Sequence, residues 1–200
     1  MPDAGRGGGE TERVKLWDPG IRIFHWALAV AFATSYLLGE FGPAIMTWHF
    51  WSGYVICGLL VFRLVWGVAG PRPARFASFV KGPRAVAAYA RDLFRREPTR
   101  YPGHNPLGGL SVIAMLVLLA AQVATGLISD PEDYINVGPL AGWVDIETSR
   151  TANAWHARIS TALLALVVLH VAVIVFYRLW KGENLVRPMI TGWKEVRRNR

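Results

Sequence analysis

Four stretches of this chain stay apolar over the depth of a lipid bilayer: residues 21–38, 48–68, 107–128 and 154–180. About 20 residues at about 1.5 Å of helical rise cross a hydrocarbon core of about 30 Å, and the few charges in these stretches lie near their ends. The pattern predicts an all-α integral membrane protein built as a four-helix transmembrane bundle. Asp18 and Pro19 supply an N-cap and a first-turn proline for the first helix. Between the second and third stretches prolines recur from Pro71 to Pro106, and inside that segment Val86, Tyr89, Ala90, Leu93 and Phe94 repeat at helical spacing. This predicts a short amphipathic interfacial helix on the membrane surface, held by its apolar stripe and by anionic lipid. The glycine-rich residues 1–13 read as a disordered tail, residues 14–193 as the four-helix domain and residues 194–200 as a basic tail.

Hydrophobic residues make up 52% of the 200, which favours lipid over water as the solvent for four such runs. The net charge of +8 is distributed unevenly. Lysines and arginines crowd the N-terminus, residues 63–100 and the C-terminus; residues 39–47 have none, and residues 129–153 have only Arg150 against five carboxylates. By the positive-inside rule both termini and the long middle connection are cytoplasmic. Topology thereby accounts for a pI near 10.1, with no nucleic acid required as a partner. The first apolar run exceeds a signal-peptide core in length and lacks a small-residue cleavage motif, so it reads as retained. The lone Cys57 can form no internal disulfide.

Histidines sit inside these spans. His156 and His170 are fourteen residues apart in the fourth, nearly on one helix face and separated by about 21 Å of rise. His25 and His49 lie near the starts of the first and second spans. With the N-terminus inside, His25 shares the inner level with His170, and His49 shares the outer level with His156. Zinc would need three or four protein ligands at each level, and neither level offers a cysteine or carboxylate. A porphyrin brings four nitrogens of its own and asks only for two axial imidazoles, so the pattern points to two stacked haems. Gly53, Ala29 and Ser160, four residues beyond a histidine, would let a flat macrocycle approach the backbone. Arg158, beside His156 in sequence, is a candidate for a haem propionate. His104, in Gly103-His104-Asn105-Pro106, lacks a partner at its depth and reads as a loop or interfacial histidine. The tryptophans near the span ends read as interfacial anchors.

The segments IRIFHW, WHFWSGY, GHNPLGG, WHARISTALLALVVLH and ENLVRPMITG, spread over residues 14–193, resemble the bacterial dihaem cytochrome b561 group, which is related to the b-type cytochrome subunits of nickel-iron hydrogenases. The resemblance implies ligation by His25, His49, His156 and His170. It implies two non-covalent haems b, since a covalent haem would need a Cys-x-x-Cys-His motif that is absent. It further implies a bacterial inner membrane and one-electron transfer between quinone and a periplasmic cytochrome or dehydrogenase subunit. A superoxide oxidase passing electrons to ubiquinone, and a cytochrome subunit anchoring a hydrogenase-like dehydrogenase, are the competing functions. The acidic stretch 129–153 would then be a docking surface for a basic partner.

Overall fold

The computed structural model describes residues 11–96, 101 and 103–197 of the chain. In chain order its helices are α1 (Pro19–Phe41), α2 (Thr47–Ala69), the single-turn α3 (Phe76–Phe79), α4 (Pro83–Arg91), α5 (Pro106–Leu127), α6 (Ile146–Trp180) and α7 (Val186–Thr191). Four of them, α1, α2, α5 and α6, are long and apolar enough to cross a membrane. α1 packs on α2 and α5 on α6. One cluster joins all four, with Ala31, Ile56, Leu60, Leu119 and Leu163 buried at its centre. Val30, Val61, Val117 and Val168 face outward and are exposed, as expected where lipid replaces water as the solvent.

Caps set the depth of each helix. The Asp18 carboxylate accepts from Ile21 N at 3.2 Å to start α1, and from Trp66 Nε1 at 3.1 Å, which aligns that start with the end of α2. The Asn105 side chain accepts from Gly108 N at 2.8 Å at the start of α5, and donates to the Tyr177 hydroxyl at 3.0 Å near the end of α6. α6 begins at residue 146, eight residues before the expected span. Asp145 caps it, accepting from Thr148 N at 2.9 Å, and its polar first two turns extend the helix beyond the apolar run. Each such cap is worth about 1 kcal/mol.

The first and last described residues and the described parts of the connection after α2 meet at one end of the bundle, here the terminal end; the short α1–α2 and longer α5–α6 loops form the loop end. At the terminal end lies a strand pair that the apolar pattern does not foresee. β1 (Thr11–Lys15) and β2 (Trp193–Arg197) run antiparallel with Arg13 opposite Glu195. Thr11, Glu12 and Arg13 thus have a paired backbone, and residues 1–10 of the expected tail lie outside the described residues. Gly192, at φ 85°, ends α7 in the left-handed conformation, and its carbonyl receives Leu16 N at 2.8 Å. The helix expected around Val86 forms as α4, and its Tyr89 hydroxyl meets that of Tyr177 at 2.6 Å. Burial and the Tyr177 hydroxyl push the Tyr89 pKa upward. Trp180 Nε1 donates to the Phe94 carbonyl at 2.9 Å, so this segment is fastened to α6 as well as amphipathic.

Candidate haem-binding site

The four histidines meet in two pairs. The rings of His49 on α2 and His156 on α6 have centroids 6.1 Å apart at the loop end, and those of His25 on α1 and His170 on α6 lie 6.5 Å apart toward the terminal end. Imidazole–metal bonds of about 2.0–2.1 Å, with each ring centre about 1.1 Å beyond its nitrogen, put two centroids about 6.2–6.4 Å apart across one metal ion. Both pairs fall close to that span. Leu163, seven residues from each α6 histidine, belongs to the buried cluster between the levels.

The loop-end pair is held by a device used twice. The Nδ1 of His49 donates to the Ser35 carbonyl of α1 at 2.9 Å, and its ring lies against Gly39, where a Cβ would come within 3.2 Å. The Nδ1 of His156 donates to the Gln122 carbonyl of α5 at 3.0 Å, and its ring lies against Gly126, where a Cβ would come within 2.8 Å. In each case a carbonyl and a glycine one turn further on, at i and i+4, seat an imidazole from the neighbouring helix. A carbonyl on Nδ1 fixes the tautomer and leaves the Nε2 lone pair as the ligating one. At His156 that Nε2 accepts from the Gln122 amide at 3.1 Å, in a cavity also bordered by Gly53 and Ser160. A Cβ at Gly53 would meet nothing within 4 Å, so the backbone there is open to a flat ligand.

The pair toward the terminal end is seated differently. His25 has a solvent-shielded Nδ1 with no hydrogen-bond partner among the described residues, and its ring packs edge-on to Trp26 at 5.1 Å. His104 is in the expected connection, but its ring is inserted between Trp17 at 4.9 Å and Phe79 at 4.8 Å. Burial first, then the nearby charges of Arg63, His170 and His25, lower its pKa to about 4, so it is neutral at neutral pH. Arg158 is exposed and lies over the Trp155 ring at 5.3 Å. Two residues beyond His156, it stands about 200° round the helix from that histidine.

The residues that sequence reading missed are Ser35, Gly39, Gln122 and Gly126, and their signal is a polar residue four before a glycine near the loop end of two spans. The loop's carboxylates are largely engaged. Glu132 pairs with Arg150, and Asp133 accepts from Asn136 N at 2.7 Å and from Ile135 N at 3.0 Å. Those N–H groups hold the Asp133 pKa below the usual carboxylate value. Asn136 in turn donates to the Ala44 carbonyl at 2.8 Å and tethers the two loops.

Comparison with known proteins agrees with this architecture. No solved structure matches the chain at a significant level. Among curated proteins it is 25% identical to the probable Ni/Fe-hydrogenase B-type cytochrome subunit of Bradyrhizobium diazoefficiens, over 92% of this chain and 87% of that one. It is 26% identical to the protein of the same description from Azotobacter vinelandii, over 94% and 90%. The probable Ni/Fe-hydrogenase 1 B-type cytochrome subunit of Escherichia coli K12 is 22% identical, over 90% and 89%. The family model for prokaryotic cytochrome b561 matches residues 16–192, a stretch that takes in all four membrane helices and both histidine pairs. The chain is therefore a member of the prokaryotic cytochrome b561 family, b-type cytochromes that carry electrons in membranes.

Proposed function

We propose that this chain carries single electrons across the bacterial inner membrane through two haems b, one ligated by His25 and His170, the other by His49 and His156. The observation that carries the reading is the separation of the two ring pairs, 6.5 and 6.1 Å, near the value one iron between two imidazoles requires. A haem ligated on both faces supplies a reversible one-electron Fe(III)/Fe(II) couple with no open position for substrate. The chain does the rest. Ser35 and Gln122 carbonyls orient the outer imidazoles, Gly39 and Gly126 give those rings room, and the Leu163 layer keeps the two centres at distinct depths. On binding, the Gln122 amide yields its place at His156 Nε2. The charge distribution supports cytoplasmic termini, which makes the His49–His156 level periplasmic.

The quinone pool is the proposed partner on one side and a periplasmic redox protein on the other. The relatives, described as probable Ni/Fe-hydrogenase B-type cytochrome subunits, favour a nickel-iron hydrogenase over a soluble cytochrome as that protein. Purified protein should give a b-type reduced-minus-oxidised spectrum with two haems per chain by pyridine haemochrome assay, and quinol should reduce it in proteoliposomes. One haem per chain, or haems that ignore quinol, would contradict the reading.

A further inference from the structure

Arg63 on α2 is 3% exposed, deep for a guanidinium in an apolar helix. It stacks over Phe76 at 4.4 Å and lies 5.8 Å from the Phe79 ring centre. Its Nη1 is solvent-shielded and has no hydrogen-bond partner, and Arg63 makes no ion pair among the described residues. Asp18, the acid at the start of α1, is within electrostatic reach of Arg63 but makes no ion pair with it, and its carboxylate accepts from Ile21 N and Trp66 Nε1. A buried cation in a membrane helix calls for a counter-charge or a function.

Its depth is informative. Trp66 is level with Asp18 through their hydrogen bond; Arg63 is three residues, about 4.5 Å, deeper, and His25 is seven residues, about 10 Å, beyond Asp18. Arg63 therefore lies between the terminal end and the His25–His170 level, about a propionate's length short of it. His104 shares the Phe79 ring with Arg63, and its Nδ1 is likewise shielded and unpartnered. It is close enough to Arg63, His170 and His25 to feel the charge of all three, and it is neutral, so one ring N–H is available to donate. The described residues thus leave two buried nitrogens without partners in one cluster beside the inner pair.

We infer that Arg63 and His104 form a carboxylate-binding pair for a propionate of the inner haem, the guanidinium supplying the charge and the imidazole a second donor. This rests on His25 and His170 holding that haem. A propionate would cancel the buried charge and satisfy both orphaned nitrogens, a combination that neutral water or a quinone carbonyl would only half meet.

The test uses holoprotein carrying Arg63→Gln, Arg63→Lys or His104→Phe, the last keeping the ring stack and removing the donor. Haem count is read first, then both midpoint potentials and the propionate bending mode in resonance Raman spectra. With two haems retained, Arg63→Gln should favour the ferric inner haem about tenfold, a fall of about 59 mV for a one-electron couple, and leave the outer haem in place. Arg63→Lys should recover most of that potential without restoring the Raman mode, and His104→Phe should shift the mode in the same sense. Selective loss of the inner haem in Arg63→Gln, restored by lysine, also supports the pair. Lower thermal stability with unchanged potentials and Raman mode in all three would overturn it, reducing Arg63 to a stacking residue. A higher KM for quinol with both potentials and the mode unchanged would overturn it in favour of a quinone headgroup. Fewer than two haems in the unsubstituted protein would instead be a failure of the two-haem reading.

Discussion

An imidazole proposed to ligate a haem must have its ring aimed, and at the loop end the ring's position is set by a missing side chain. His156 lies so close to Gly126 that a methyl group would sit 2.8 Å from its Cε1. Gly126→Ala should rotate or push back that ring and weaken outer-haem retention by the about 10- to 100-fold typical of a disturbed ligand shell. The inner haem should stay. Gly39→Ala, at 3.2 Å from His49, should act in the same direction and more weakly. Haem content after gel filtration in detergent reads both, and full outer-haem occupancy in Gly126→Ala would show that the glycine only eases helix packing. The histidines were legible in sequence because an imidazole in an apolar run stands out. The glycines were not, because membrane helices use glycine for ordinary close packing and only the structure separates the two uses.

Helices impose a second asymmetry. α1 and α5 each offer a carbonyl to a loop-end histidine, at 2.9 and 3.0 Å, whereas His25 has no such acceptor among the described residues. Donation from Nδ1 makes an imidazole a stronger base and stabilises ferric iron, so the outer haem should have the lower potential. The charge of Arg63 beside the inner level acts in the same sense. Redox titration of the single haem left in His25→Ala, against that left in His49→Ala, should show this order; the reverse order would mean that solvent exposure outweighs ligand hydrogen bonding. Among the elements, the four spans and α4 were readable because hydrophobic periodicity is local. The β1–β2 pair was not, since Arg13 meets Glu195 across 182 positions and no local pattern records that pairing. The early start of α6 was hidden as well, because Asp145 and two polar turns look like loop until the cap is seen.

At the scale of the molecule, the bundle is a conduit with one basic and one acidic end. A cysteine at Tyr134, 96% exposed on the loop end, should react with an impermeant thiol reagent in intact cells of a Cys57→Ser background. One at the exposed Lys81 should react only after the cells are opened. The opposite pattern would exchange the inner and outer labels and leave the pairing intact. Electrostatic docking at the loop end is a weaker device than the carboxylate count suggests, because Glu132 is paired and Asp133 holds the loop together. The proposed electron path depends above all on four histidines on three helices acting as two pairs. Haem content and spectrum across His25→Ala, His170→Ala, His49→Ala and His156→Ala test this most directly. One haem should remain in each variant, the same one in the first two and the other in the last two. Two haems retained in any of them, or different haems lost within a pair, would contradict that pairing.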